Sequence, residues 1–333
     1  MIRQEFVKQI NKLAIDGEAF LFIINYQGNR AYIRKLSEIN PSECLYDFNG
    51  KTNAHLLPHP PISTGIEWKM KSPQYASYRQ SFDIVKQNIL AGNSYLANLT
   101  CQIPVHCNLS LRDIFLLVQG KYKLFLHKDV CSTSSFVCFS PETFIQLRDG
   151  QIYSYPMKGT MDASVKEARK RLMENKKEAA EHATIVDLIR NDLSRVATEV
   201  RVDRYRYTDV LHTNRGDILQ SSSQISGKLP DDYRQHIGDI LATQLPAGSI
   251  TGAPKDKTMH IIHEAEKYDR GFYTGVMGIC KNGILDSAVM IRFIEQNGQD
   301  LVFKAGGGIT YKSVCAKEYK EILQKVYLPI KRQ

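Results

Sequence analysis

A glycine-rich segment followed by a helical pattern constrains this chain most strongly. Residues 246–255 have the sequence Pro-Ala-Gly-Ser-Ile-Thr-Gly-Ala-Pro-Lys, and 256–266 carry apolar residues at helical spacing. Gly248 and Gly252 permit backbone conformations that a side chain would forbid, so backbone amides can approach a ligand closely. The segment predicts a turn that opens a helix, with Lys255 adding a cation to a built-in anion site. An ordinary strand-to-helix turn is the alternative.

Composition narrows the class of protein. The chain has 333 residues, of which 43% are apolar and 24% charged, as in globular proteins with one large domain or two ordinary ones. No apolar run approaches the ~20 residues of a membrane span. The first residues lack the apolar segment of a secretion signal, and the seven cysteines form no Cys-x-x-Cys pair. We therefore expect a cytoplasmic protein with no membrane partner.

The net charge of +9 favours an anionic partner. Basic residues alternate with acidic ones along 166–178, which is more typical of a solvated helix than of a stripe that follows phosphates. The pattern predicts no nucleic-acid partner. A small, multiply charged anionic substrate explains the charge at least as well.

Runs of strands with helices between them predict an α+β fold rather than strict alternation. The first seventy residues are expected to be rich in strands and turns, with a buried strand at 19–26. Further strands are predicted at 94–105, 135–139, 143–148, 151–155, 273–280, 284–294 and 301–305. Helices are predicted at 75–90, 111–119, 166–197, 237–244 and 317–327.

Two residues near the centre of the chain are candidates for catalysis. Lys158 lies in a predicted loop after a strand, next to Gly159. Held out of water there, its amine would have a lowered pKa and act as a nucleophile, although most loop lysines are simply solvated. Glu142 lies between two predicted strands and is a candidate general acid.

Three carboxylates are candidates for a metal site. Glu318 and Glu321 are three residues apart on the predicted terminal helix and therefore share a face. With Glu181 from another helix, they would suit Mg²⁺, which is bound by a few carboxylates, waters and substrate oxygens. An exposed helix of alternating lysine and glutamate is the alternative.

Other polar positions interrupt apolar segments. Arg292 lies within the apolar run 287–293, where bidentate capture of a carboxylate is its natural use. Residues 306–308 are three glycines that would let backbone amides press against a ligand. Asp187 and Arg190 lie around an apolar stripe, where charged residues are expected to fix tertiary contacts.

Taken in order, these segments resemble the chorismate-utilising enzymes over residues 75–330. The resemblance rests on the motifs SPE (140–142), YPMKGT (155–160), AEHATIVDLIRNDLSRVA (180–197), PAGSITGAPK (246–255), GFYTGVMG (271–278), AVMIRF (288–293), KAGGGIT (304–310) and EYKEILQK (318–325). It implies two large antiparallel sheets packed face to face with helices outside, chorismate as substrate and Mg²⁺ as cofactor. The chain would form one catalytic domain over 1–333, with a strand-rich portion at 1–70 and a chorismate-binding portion at 75–330.

Within the family, Lys158 distinguishes the branches. Anthranilate synthase large subunits resemble this chain but carry alanine at that position, whereas aminodeoxychorismate synthases (component I) carry lysine. Isochorismate synthases have a lysine in place of Leu96, and many relatives have a histidine, associated with aromatising elimination, in place of Gln220. The resemblance therefore implies amination of chorismate to 4-amino-4-deoxychorismate. Anthranilate formation, or a catalytically weak subunit that holds an amidotransferase, remains the alternative.

The resemblance also implies residue roles and a partner. Lys158 would attack the ring while Glu142 protonates the departing 4-hydroxyl, and ammonia would then displace the lysine. No cysteine has the surroundings of a glutamine-hydrolysing nucleophile, so we expect a separate glutamine amidotransferase subunit to supply ammonia. Mg²⁺ would be held by Glu181, Glu318 and Glu321. Substrate would be bound by Ser249, Lys255, Tyr273, Arg292, Gly306, Gly307 and Gly308.

Overall fold

The computed structural model describes residues 2–55, 57–58, 60, 65–131, 134–213 and 216–330. Its helices are α1 (Ile2–Ile15), α2 (Tyr75–Leu90), α3 (Leu111–Leu117), α4 (Lys128–Cys131), α5 (Ala168–Glu174), α6 (Lys176–Leu193), α7 (Ile237–Gln244), α8 (Lys255–Ala265) and α9 (Cys315–Gln324). No helix in these residues is long and apolar enough to cross a membrane.

The strands of the same residues fall into two sets. The first comprises β1 (Phe20–Ile24), β2 (Ala31–Lys35), β3 (Cys44–Phe48), β4 (Lys51–Thr52), β5 (Trp68–Met70), β6 (Leu96–Cys107), β7 (Tyr122–Leu126), β8 (Ser135–Ser140) and β9 (Thr143–Arg148). The second comprises β10 (Gln151–Ser154), β11 (Met157–Asp162), β12 (Thr198–Thr213), β13 (Gly216–Lys228), β14 (Gly252–Ala253), β15 (Val276–Lys281), β16 (Ile284–Val289), β17 (Phe293–Asn297) and β18 (Asp300–Ile309).

These strands form two antiparallel sheets. Within the described part of the chain, the first sheet has nine strands in the order β11-β13-β10-β9-β16-β15-β1-β2, with β12 paired to β13. The second also has nine, in the order β14-β6-β18-β17-β8-β7-β3-β4, with β5 paired to β6. The expected α+β fold with two large antiparallel sheets is confirmed.

Alternating side chains divide the apolar interior into three layers. In β1, Leu21 and Ile23 join a cluster shared by the two sheets, whereas Phe20 and Phe22 face a cluster under α1, α6 and α7. A third cluster lies between the outer face of the second sheet and α2, α3, α8 and α9. Because both faces of β1 are buried, its sequence is continuously apolar. The helices lie outside the paired sheets, as expected.

The beginning of the chain differs from the expected strands and turns. Residues Ile2–Ile15 form α1, and Phe6 and Ile10, four residues apart, are buried in the cluster that also contains residues of α7. A Cβ on Gly238 would lie 2.5 Å from the carbonyl oxygen of Val7, so only glycine lets α1 approach α7 this closely. The strands that follow, β1 to β4, join both sheets. Of the expected 1–70 portion, positions 1, 56, 59 and 61–64 lie outside the described residues.

The predicted strands at 273–280 and 284–294 also need correction. The first begins only at Val276, and the second is two strands, β16 and β17, that belong to different sheets. The chain crosses between the sheets at residues 290–292, where Arg292 has a positive φ of 56°. The apolar run continues through the crossing because both strands are buried, so hydrophobicity alone does not reveal it.

Candidate active site

Lys158 marks the place where β11, α6 and the end of β18 meet. Its Nζ lies 3.0 Å from Glu181 Oε2 on α6. A Cβ on Gly308 would lie 3.8 Å from the same nitrogen. The structure thus brings together a predicted nucleophile, a predicted metal ligand and one of the predicted substrate-binding glycines.

The local structure around Lys158 is a strand and not the expected loop. β11 pairs with β13, but the register shifts between Met157 and Thr160, which is the mark of a β-bulge. Gly159 in the bulge has a φ of 90°, a conformation that L side chains rarely adopt. A bulge bends the strand and changes the direction of its side chains, and this one carries Lys158 next to α6.

The expected lowering of the Lys158 pKa is wrong for this arrangement. Burial lowers the pKa of the amine, but the carboxylates of Glu181 and Glu321 raise it by more, so the net pKa lies above the ordinary value. The cause is charge: the sequence places two carboxylates near the amine that a reading of the loop alone does not reveal. As a nucleophile the amine must first lose a proton, and Glu181 Oε2 is within hydrogen-bond range to accept it.

Glu142 has the properties expected of a general acid. It lies between β8 and β9, where Ser249 Oγ donates a 2.5 Å hydrogen bond to its Oε1. Burial raises the pKa of Glu142, while the bond from Ser249 and the charges of Arg292 and Lys325 act in the opposite direction. The net rise keeps a proton on this carboxyl over a wider pH range, as proton donation to a leaving group requires.

Helix α9 contributes two charged residues to the same region. Lys325 Nζ lies 2.9 Å from Glu321 Oε1 and donates a 2.9 Å hydrogen bond to the carbonyl oxygen of Gly306. Burial lowers the pKa of Lys325, and Glu321 partly offsets this effect. Glu318, on the same helix, is 5% exposed. The sequence pattern identified both glutamates but missed the lysine four residues after Glu321.

The carboxylates suit Mg²⁺ in chemistry more than in arrangement. Among the residues described, no three His, Cys, Asp or Glu side chains converge into a group that could hold a metal ion. Glu181 and Glu321 nevertheless both act on Lys158, so they lie on either side of one cationic centre. Mg²⁺ is commonly bound by one or two carboxylates, with waters and substrate oxygens completing its coordination.

Two predicted substrate-binding residues lie close to Glu142. Arg292 acts electrostatically on both Glu142 and Tyr273. Its guanidinium carbon lies 5.8 Å from the centre of the Tyr327 ring. Tyr273 is buried against Phe293, with ring centres 5.8 Å apart, and burial raises the pKa of its hydroxyl. A phenol that stays protonated is a hydrogen-bond donor for an anionic substrate.

The three glycines of β18 are explained by close packing. A Cβ on Gly306 would lie 2.6 Å from Thr100 Cγ2, and one on Gly307 would lie 3.8 Å from Lys325 Nζ. Gly308 leaves room beside Lys158 Nζ. The segment therefore provides bare backbone between an amine on each side, which fits the expected approach to a ligand.

Lys255 and the charged residues of α6 have other environments than expected. Lys255 Nζ lies 2.8 Å from Asp192 Oδ2 and donates to the carbonyl oxygen of Gln244, so its ammonium faces a carboxylate and not an open anion site. Asp187 and Arg190 form an exposed pair, with side chains 81% and 48% exposed. The buried charge on this helix is Asp192, which the periodicity did not single out.

Gln220 is held in a fixed position beside Lys158. Its Nε2 donates to the carbonyl oxygens of Gly159 and Ser221, at 3.0 and 3.1 Å, and the residue is 7% exposed. An amide has no basic atom, so this position cannot remove a proton from a substrate.

Comparison with known proteins places this geometry in a family. A family model described as chorismate binding enzyme matches residues 4–331. The chain belongs to this family. It is 44% identical over 327 residues to an uncharacterized PabA-like protein of Haemophilus influenzae, with 98% of this chain and 97% of that protein aligned. It is also 31% identical over 268 residues to aminodeoxychorismate synthase component 1 of Bacillus subtilis, covering 75% of this chain and 54% of the relative.

Solved structures of the family share the architecture. Anthranilate synthase component I of Streptococcus pneumoniae aligns with a TM-score of 0.65 and 25% identity, over 79% of this chain and 59% of that one. The menaquinone-specific isochorismate synthase of Escherichia coli aligns with a TM-score of 0.70 and 17% identity, over 97% and 80%. The second likeness concerns the fold alone.

Proposed function

We propose that this protein is an aminodeoxychorismate synthase component I, which converts chorismate and ammonia to 4-amino-4-deoxychorismate for 4-aminobenzoate and folate biosynthesis. The observation that carries the proposal is the position of Lys158. Its amine lies beside the bare backbone of Gly308 and acts electrostatically on Glu142. An amine nucleophile and a protonated carboxyl near one another suit the replacement of a hydroxyl by an amine.

The chemistry divides into two displacements. In the first, the neutral Lys158 amine bonds to a ring carbon as the 4-hydroxyl leaves, and Glu142 donates the proton that makes the leaving group water. In the second, ammonia bonds to C4, the bond to Lys158 breaks, and a proton from the new ammonium returns to Glu142. Acid assistance is needed because hydroxide leaves poorly, and the covalent intermediate divides one difficult step into two.

Charged and backbone groups would hold the substrate. Arg292, Tyr273 and the amides of residues 306–308 would bind the enolpyruvyl carboxylate, with Ser249 nearby. Glu181, Glu318 and Glu321 would hold Mg²⁺. When bound, the metal would neutralise the ring carboxylate. Glu181 and Glu321 now contact lysine ammonium groups, so metal binding requires these contacts to be exchanged.

Two positions argue against the other family reactions. Leu96 is 5% exposed, and its Cδ1 lies 3.2 Å from a Cβ position on Gly308, so an apolar side chain faces the site where isochorismate synthases resemble this chain but have lysine. Gln220 supplies no base for aromatising elimination. The similarity to the Bacillus subtilis aminodeoxychorismate synthase component 1 supports the same branch.

Anthranilate synthesis is the second candidate. Over 198 residues the chain is 38% identical to anthranilate synthase component 1 of Aquifex aeolicus, covering 56% of this chain and 38% of that protein. In either case ammonia would come from a separate glutamine amidotransferase subunit. We place the reaction in the cytoplasm. A catalytically weak subunit that mainly holds the amidotransferase is the remaining alternative.

A product assay tests these alternatives. The protein is incubated with chorismate, Mg²⁺ and ammonium, and the products are separated with and without an added aminodeoxychorismate lyase. We expect 4-aminobenzoate only after the lyase is added, and no turnover after Mg²⁺ is removed by a chelator. Fluorescent anthranilate without a lyase would contradict the proposal, and negligible turnover with ammonium would favour the weak subunit.

A further inference from the structure

A buried ion pair lies close to the proposed acid without belonging to the substrate site. Asp192 Oδ2 at the end of α6 and Lys255 Nζ at the start of α8 are 2.8 Å apart, with side chains only 7% and 11% exposed. Burial raises the pKa of Asp192 and lowers that of Lys255, and each is partly restored by its partner. Each charge therefore depends on the other, since removing one leaves the other buried and unpaired.

The pair fixes the glycine-rich segment 246–252 from two sides. Lys255 Nζ donates a 3.0 Å hydrogen bond to the carbonyl oxygen of Gln244, and Gln244 Nε2 donates a 2.8 Å bond to the carbonyl oxygen of Asp192. Asp192 Oδ2 also packs on the backbone of Gly248, at 2.8 Å from the position of a Cβ. The carboxylate is thus in van der Waals contact with this segment as well as paired with the lysine beyond it.

The segment in turn holds the proposed acid. Gly248 is followed by Ser249, whose hydroxyl donates the 2.5 Å bond to Glu142. A cavity of about 20 Å³ lies between these groups, and Glu142, Asp192, Gly248 and Ser249 all line it. Space of this size holds about one water molecule, so the two carboxyl groups are near neighbours.

We propose that the Asp192–Lys255 pair is a positioning device for Glu142: it holds the Ser249 hydroxyl on the acid and makes no contact with substrate. The proposal rests on the proposed function, in which Glu142 donates the proton. It changes the role expected for Lys255, from a cation that binds the substrate to one that orders the segment through Asp192.

Kinetics separate positioning from substrate binding. In the ammonium-dependent reaction, Asp192→Asn should lower kcat roughly 10- to 100-fold, the scale of a small misplacement of a catalytic group. The KM for chorismate should stay within about twofold, because no substrate contact is lost. An increase in KM with unchanged kcat would overturn the proposal, since it would return Lys255 to the substrate site.

A double-mutant cycle separates positioning from a general structural role. If Asp192 acts through Ser249, then Asp192→Asn should change kcat little in a Ser249→Ala background. Full additivity of the two effects would overturn the proposal. Asp187→Asn is the matched control, because it removes the same charge from the same helix in an exposed pair. If Asp192→Asn does not fold, Lys255→Met breaks the same pair with a side chain of similar length.

An infrared measurement on the protein alone makes the inference independent of turnover. The C=O stretching band of protonated Glu142 is the band that disappears in Glu142→Gln. Asp192→Asn or Lys255→Met should move it to higher frequency, as Ser249→Ala does, because a hydrogen bond is lost; Asp187→Asn should not. A band that stays in place would refute the inference. If the band moves but chorismate is not aminated, the proposed function fails and the positioning role stands.

Discussion

Removing Arg270 should destabilise the protein more than removing any exposed charge. The Arg270 guanidinium makes bidentate contact with Glu266, at 2.7 and 2.8 Å, and both side chains are only 2% exposed. It also donates to the carbonyl oxygens of Ile250 and Asn98, at 2.9 and 2.6 Å. This one side chain therefore joins the glycine-rich segment to β6, next to the turn that carries Tyr273.

The size of the effect follows from what Arg270→Ala leaves behind. Glu266 would keep a buried carboxylate with no opposing charge, and the two carbonyl oxygens would lose their donor. Breaking a buried pair from one side costs about 3–5 kcal/mol. At roughly 2 °C per kcal/mol for a protein of this size, the melting temperature should fall by about 6–10 °C.

Thermal melting and urea titration measure this loss. Arg30→Ala is the control, because Arg30 forms a 3.5 Å pair with Asp269 in which the side chains are 38% and 55% exposed. Such a pair contributes about 0–1 kcal/mol, so the control should melt near the wild-type temperature. If Arg270→Ala melts no lower than Arg30→Ala, the assignment of Arg270 as a structural link between the two segments is wrong.

Three further substitutions probe the site. Gly308→Ala adds a methyl group 3.8 Å from Lys158 Nζ, so turnover should fall severalfold with little change in melting temperature, and unchanged kinetics would move the substrate elsewhere. Gly252→Ala should give mostly insoluble protein, because the new Cβ would lie 1.9 Å from the carbonyl oxygen of Leu96 and the φ of 130° disfavours a side chain; normal expression would contradict this. Glu142→Gln should abolish turnover yet raise the melting temperature at alkaline pH. The folded chain binds the Glu142 proton more tightly than the unfolded chain, so this group's contribution to stability falls as pH rises above its ordinary pKa, and a lower melting temperature there would refute the assignment.

The sequence predicted the architecture well where periodicity and motifs coincide. The helix at 75–90 and the strands around Glu142 have nearly the expected bounds. The motifs also named Lys158, Glu181 and Gly308, which the fold brings together from distant parts of the chain. Motif order carried this information, since none of these residues is informative alone.

The errors have physical causes that a single sequence does not display. The pKa of Lys158 depends on Glu181 and Glu321, whose proximity is a tertiary property. The crossing at Arg292 is hidden because the strands on both sides are buried. The long hairpin of β12 and β13 was not predicted, because its polar residues mask the alternation that identifies a strand.

Trapping the lysine adduct tests the central claim most directly. The protein is incubated with chorismate and Mg²⁺ without ammonium, denatured rapidly and mapped by peptide mass spectrometry. We predict a mass increase equal to chorismate less one water on Lys158, and its absence in Lys158→Ala, which should also lose amination. An unmodified Lys158, together with wild-type amination by Lys158→Ala, would contradict the account.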